Sequence, residues 1–141
     1  MIHVVWGTKY RETILVKDKR EILFDHILKN ARSKDIYIDT IGGYLDHVHC
    51  LISLGADQNI AKVVQLINGE SSFWSNKEEL IKPKLTWADD YFAVAIGISS
   101  IQKVRDYIHN QEEHHRKITF AEEYEKFTTS LGLNSAKASN D

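Results

Sequence analysis

The hydrophobic period of this chain switches repeatedly between two residues and about 3.6, and the order of those switches restricts the fold more than any other feature. "IHVVWGTKYR" opens with β-branched and aromatic residues before a Gly-Thr-Lys turn, so Ile2 to Trp6 reads as a strand. "VKDKREILFDHILKNARSKD" then places Ile22, Leu23, His26, Ile27 and Asn30 near helical spacing. "IYIDTIGGYLDHVHCLISL" holds two extended segments, Ile36 to Ile41 and His47 to Leu54, joined through Gly42-Gly43 and Asp46 as an antiparallel pair.

The helical period returns at Ile60, Val63, Val64 and Ile67, with Gly69 as a point of interruption. Beyond Pro83, "LTWADDYFAVAI" reads as a further strand with a polar turn inside it. In "SSIQKVRDYIHNQEEHHRKI", Ser99 and Gln102 have capping-box spacing, and Ile101, Val104, Ile108 and His115 follow one stripe. A last amphipathic piece, "FAEEYEKFTTSLG", is helical and acidic.

The resulting order, β α β β α β α with an appendage, predicts an α+β sandwich of the ferredoxin-like or RRM-like kind. Its antiparallel sheet carries helices on one face, and a C-terminal helix follows. One domain over residues 1–131 and a small, polar, disordered tail over 132–141 are expected.

Bulk properties narrow the classes. A hydrophobic fraction of 43% and a charged fraction of 27% are those of an ordinary globular chain. The single cysteine, Cys50, excludes an intramolecular disulfide framework and a multi-cysteine zinc site. No apolar run approaches the roughly 18 residues a bilayer span needs, and no signal-peptide layout opens the chain, so a cytoplasmic location is expected. A net charge of -2 means that any nucleic-acid surface must be a local patch.

Two histidines stand one residue apart in "DHVHCLISL". On a strand, His47 and His49 share one face, about 6–7 Å apart at Cα, while Val48, Cys50, Ile52 and Leu54 take the other. That spacing suits a divalent ion and equally suits a half-exposed strand, and two ligands do not complete a coordination shell. Downstream, Tyr107 and Gln111 are four apart and share a helical face, with His114 and His115 a further turn along. Tyr107 reads as a core aromatic or as a phenol beside an amide ligand.

"DHVHCLISL" followed by "VRDYIHNQEEHHRKITFAEEY" resembles the single-tyrosine HUH transposases of insertion-sequence 200/605 elements. "HVVWGTKYRETIL", "INGESSFWSN" and "WADDYFAVAI" resemble family segments in family order, and the likeness spans residues 2 to 127. The resemblance implies that His47, His49 and Gln111 ligate Mg²⁺ or Mn²⁺ and that Tyr107 attacks single-stranded DNA, leaving a 5′-phosphotyrosine. It also implies subterminal DNA hairpins as partners, and a homodimer in which one subunit's tyrosine helix completes the other's site.

A phenol with an ordinary pKa near 10 needs a cation to stabilise its anion. Neutral imidazole and amide ligands leave that cation its full charge. No general base stands out. Asp46 is either turn chemistry or a partner of a metal-binding histidine. Lys9, Arg11, Lys62, Lys103 and Arg105 are the first candidates for phosphate contacts, and the run His114, His115, Arg116, Lys117 either touches DNA or complements a helix dipole. Trp6, Phe73, Trp74 and Trp87 are core candidates, or base-stacking residues if exposed. The alternatives are a domesticated hairpin-nicking relative, a replication or transfer nickase of the same superfamily, and a non-catalytic nucleic-acid-binding module.

Overall fold

The structure is a computed structural model that describes residues 1–115 and 118–130, and the side chains of those residues except 127–130. The expected tail, Arg116 and Lys117 lie outside the described residues. Four strands, β1 (Ile2–Thr8), β2 (Tyr37–Gly43), β3 (His47–Ser53) and β4 (Trp87–Ala95), form one sheet in the order β2-β3-β1-β4, with every neighbouring pair antiparallel. The expected α+β sandwich is what the chain adopts.

Helices α1 (Lys17–Ser33) and α2 (Ile60–Lys77) cover one face of the sheet. Leu23 and Ile27 of α1 and Val63, Val64 and Ile67 of α2 pack on Val4, Trp6, Val48, Cys50 and Ile52. Each of these helices buries one stripe at the spacing its sequence shows. Asn59 caps α2 by accepting from the Lys62 amide at 2.8 Å. Gly69 does not interrupt the helix: a Cβ there would meet open space, and α2 runs through to Lys77.

The opposite face is covered by α3 (Ile101–His109), the single turn α4 (Gln111–His114) and α5 (Phe120–Ser130). Val5 and Phe92 of the sheet pack there with Phe120 and Tyr124 of α5. The stripe from Ile101 to His115 is therefore not one helix. It breaks at Asn110, whose backbone (φ -100, ψ 25) is non-helical. The Ser99–Gln102 capping box also does not form, because a short 3-10 turn at Ile98–Ser100 precedes α3 and its N-cap, Ser100, makes no side-chain cap bond.

Two further expectations are corrected. Gly42 and Gly43 belong to β2, and the turn falls at Tyr44 to Asp46. A Cβ at Gly42 would stand 2.4 Å from the carbonyl oxygen of Ile108, so its absence lets α3 settle directly on the strand. The acidic pair Asp89-Asp90 makes no turn. It lies inside β4, where the pairing shifts between Trp6 and Thr8, and a bulged edge strand leaves room for such residues. Trp6 and Trp87 are core residues, Trp74 packs against that core, and Phe73 stays exposed.

Candidate metal and tyrosine site

Strand alternation sends His47 and His49 to the face covered by α3, α4 and α5, and both are 0% exposed. The half-wet strand is thus excluded. Opposite His47 in the register lies Gly7, and a Cβ there would fall 2.7 Å from the Phe120 ring. Its absence lets Phe120 stack on the His47 imidazole, with ring centroids 4.2 Å apart and planes 2° from parallel.

Each imidazole is oriented from behind. Nδ1 of His47 donates to Oδ1 of Asp46 at 2.9 Å, and Nδ1 of His49 lies 2.9 Å from Nε2 of the buried His3. Asp46 also serves the turn, its carbonyl accepting from the Thr8 amide at 2.9 Å. The Nε2 atoms of His47 and His49 turn toward the helices. Oε1 of Gln111 lies 3.0 Å from His47 Nε2, and the Gln111 amide nitrogen donates to the Tyr107 carbonyl at 3.2 Å, which fixes which end of the amide faces the histidines.

Glu123 of α5, 2% exposed, stands at the centre of this group. Its Oε1 lies 3.2 Å from His49 Nε2, 3.3 Å from His47 Nε2 and 3.3 Å from His115 Nε2. Its Oε2 accepts from the Tyr107 hydroxyl and lies 3.0 Å from His114 Nε2. The ligand atoms of His47, His49 and Glu123 fall within 4.8 Å of one another, as do those of His114, His115 and Glu123. Sequence reading passed over Glu123 and His3. The acidic run in α5 gives Glu123 no distinguishing pattern, and His3 reaches the site only through the β1–β3 register.

The electrostatics follow from burial and these contacts. Burial alone would keep His47 neutral, yet its hydrogen bonds to Asp46 and Glu123 raise its pKa above the ordinary imidazole value. His49 and His3, where burial dominates, are pushed down to about 3 and about 4. Burial would raise the Glu123 carboxyl, but the contacts with His115, His47 and His49 hold it well below the usual carboxylate range. The Tyr107 phenol is held well above its ordinary value, first by burial and then by Glu123.

The donor set fits a divalent cation. The Asp46 carboxylate can only accept, so the ring hydrogen of neutral His47 is on Nδ1 and a lone pair is on Nε2. That lone pair faces two more acceptors, Gln111 Oε1 and Glu123 Oε1. Positive charge reconciles these facing acceptors: a proton on Nε2, in line with the raised His47 pKa, or a divalent ion in its place.

The structure distributes the basic candidates unevenly. The Arg105 guanidinium makes two 2.8 Å bonds to the Asp39 carboxylate, tying α3 to β2. Arg11 lies over the rings of Phe120 and Tyr124, at 5.1 and 6.0 Å, against α5. The Lys9 ammonium lies 5.5 Å from the Tyr10 ring. Lys103 is exposed, and Lys62 lines a polar groove of about 880 Å³ between α2 and β4, away from the histidines.

The family to which the chain's sequence belongs is one of DNA-processing enzymes of the transposase class. A family model described as IS200-like transposase matches residues 1–111, and the chain belongs to that family. The ISDra2 transposase TnpA of Deinococcus radiodurans is 26% identical over 117 residues, covering 79% of this chain and 83% of the relative. A crystal structure of a candidate transposase from Deinococcus radiodurans matches with a TM-score of 0.59 and 22% identity, over 78% of this chain and 88% of that one. A REP-associated tyrosine transposase bound to a REP hairpin matches with a TM-score of 0.64 and 16% identity, over 99% of this chain and 85% of that one. These two structures share the fold. Among the described residues, no helix is long and apolar enough to cross a membrane.

Proposed function

We propose that this protein cleaves and rejoins single-stranded DNA at the ends of a mobile element, with Tyr107 as nucleophile and His47, His49 and Gln111 holding Mg²⁺ or Mn²⁺. The observation that carries the reading is that, inside one chain, two imidazole Nε2 atoms and a phenol converge on one carboxylate while an amide oxygen lies 3.0 Å from one of those Nε2 atoms. A bound divalent ion would act there as a Lewis acid on a phosphate oxygen.

The residues supply the rest. Asp46 and His3 fix the two rings, and the Gln111 amide, anchored to the Tyr107 carbonyl, keeps its oxygen toward them. The Tyr107 oxygen attacks the scissile phosphorus, an O–P bond forms, and the bond to the 3′ oxygen breaks. One proton passes in net terms from the phenol to the departing 3′ oxygen. Because the product is still a phosphodiester, a different 3′-hydroxyl can reverse the step and join a new strand without ATP.

The expected DNA is a hairpin-bearing single strand, in keeping with the hairpin bound by the REP-associated relative. A homodimer accords with the family resemblance, but the gathering of Tyr107 with His47 and His49 in one chain favours a site completed in cis. The test is incubation with a 5′- or 3′-labelled hairpin single strand and Mg²⁺ or Mn²⁺. A covalent adduct on the 5′ phosphate is expected, lost on chelation and in Tyr107→Phe. Tight binding with no adduct at any element end would favour a non-catalytic binding module.

A further inference from the structure

The turn that follows β1 is held in a conformation its residues disfavour. Tyr10 (φ 59, ψ 18) and Arg11 (φ 54) both take the left-handed region, where a side chain other than glycine costs free energy at each position. The turn is fixed on both sides. The Thr8 and Lys9 amides donate to the carbonyls of Asp46 and Thr86 at 2.9 Å, the Thr8 hydroxyl donates to the Glu12 carbonyl at 2.7 Å, and the Leu15 amide donates to the Leu45 carbonyl at 2.9 Å. Strain of this kind persists where the surroundings over-determine it, and it gathers at functional sites.

The fold does not use the side chain that this backbone presents. Arg11 lies over the Phe120 ring at 5.1 Å, but Tyr10 keeps 85% of its surface in solvent. Glycine would take the same backbone without strain, and a polar residue would suit the exposure. The Lys9 ammonium, 5.5 Å from the Tyr10 ring centroid, holds a positive charge beside that bare aromatic face. The turn also stands at the rim of the histidine site, because the Phe120 ring that Arg11 covers is the one stacked on His47, with centroids 4.2 Å apart.

We infer that Tyr10 is a stacking platform for one unpaired base of the DNA strand, with Lys9 taking the phosphate beside it. Every base offers a π-face, whereas the bases of a hairpin stem are already stacked on one another, so the ligand is the single strand outside the stem. The inference rests on the reading above that the chain acts on a hairpin-bearing single strand. It makes Tyr10 a positioning residue: a base gripped at the rim fixes where the strand crosses the histidines and Tyr107, while the stack itself reads no base identity.

Fluorescence anisotropy of the full-length protein, in chelator so that no cleavage intervenes, tests this with two probes. One is a hairpin from the DNA flanking the coding sequence, extended on both sides by single-stranded oligothymidine; the other is the same hairpin with abasic flanks that keep the phosphates. Tyr10→Ala should bind the thymine-flanked probe at least about fivefold more weakly than wild type does and the abasic one equally well, and Tyr10→Phe should restore wild-type binding. Lys9→Gln should weaken binding of both and lower the salt slope by about 0.7. Wild-type affinity of Tyr10→Ala for the thymine-flanked probe, or an equal loss on both probes, would overturn the inference and leave the proposed function standing. If the wild-type chain binds neither probe, the underlying reading falls instead. Tyr10→Gly covers misfolding, since glycine adopts this backbone freely. Its melting temperature should hold while its affinity for the thymine-flanked probe drops, and a lower melting temperature would assign the ring to the fold and overturn the inference.

Discussion

Along β3, Val48, Cys50 and Ile52 turn to one side of the sheet and His47 and His49 to the other, and all five are fully removed from solvent. The first side meets α1 and α2 through apolar contacts, which stabilise at roughly 25 cal/mol per Å² removed from water. The second meets α3, α4 and α5 through imidazoles, an amide and a carboxylate, whose burial costs free energy unless each finds a partner. Equal burial thus hides unequal contributions. The apolar side supplies the stability against which the polar side can hold groups that favour chemistry.

The largest effect that tests this division is on catalysis. Tyr107→Phe should lower adduct formation by at least about 10³-fold, as removal of a nucleophile does, while thermal melting falls only slightly, because Glu123 Oε2 loses the hydroxyl but keeps His114 Nε2 at 3.0 Å. Mixing Tyr107→Phe with His47→Ala protein sharpens the point. A site complete in one chain gives no rescue. Recovery of adduct on mixing would mean that subunits exchange the tyrosine helix.

The converse change lies on the other side of the sheet. Leu23→Ala removes a fully buried side chain of α1 and should destabilise the protein by about 2–5 kcal/mol. Adduct yield per folded molecule should hold. Cys50 reports the same side independently, because burial pushes its thiol well above the ordinary range and makes it inert in the folded state. Leu23→Ala should therefore speed alkylation of Cys50 by an added maleimide, and a rate equal to that of wild type would show that Leu23 does not hold the core closed.

The two sides also differ in how far the sequence revealed them. Alternation from His47 to Leu54 and the helical stripe of Val63, Val64 and Ile67 were legible because each face of an element carries its own chemistry. Gly42 and Gly43 were misplaced as a turn, since glycine marks both turns and close approaches, and only the approach of Gly42 to Ile108 and of Gly43 to the His47 carbonyl tells them apart. The acidic pair in β4 misled for a similar reason, as an edge strand tolerates what a central one does not. His47, His49, Tyr107 and Gln111 could be paired through the family resemblance. Glu123 and His3 could not, because cross-strand register and the docking of α5 leave no period in the chain. With Glu123 the structure sets a carboxylate among the imidazoles.

The smallest expected effect concerns a polar pair outside the buried centre. Arg105 was a candidate for DNA phosphate, yet its Nε and Nη2 bond Asp39 and its Nη1 bonds Gln102, which fastens the helix that carries Tyr107 to β2. Neutralising a side chain that binds phosphate would reduce the slope of log K against log salt by about one. Arg105→Gln should leave that slope unchanged, and a fall by one would return Arg105 to the DNA surface. The pair should register instead in acid. Its hydrogen bond from Arg105 lowers the Asp39 pKa in the folded chain below the unfolded value of 3.8, so the stabilisation is complete above that value and disappears as pH falls through the folded one. Asp39→Asn should narrow the stability difference between pH 6 and pH 3, slightly and only in the acid limb. The catalytic cluster should be indifferent to this substitution except through the seating of α3, which metal titration at neutral pH would read as an unchanged affinity.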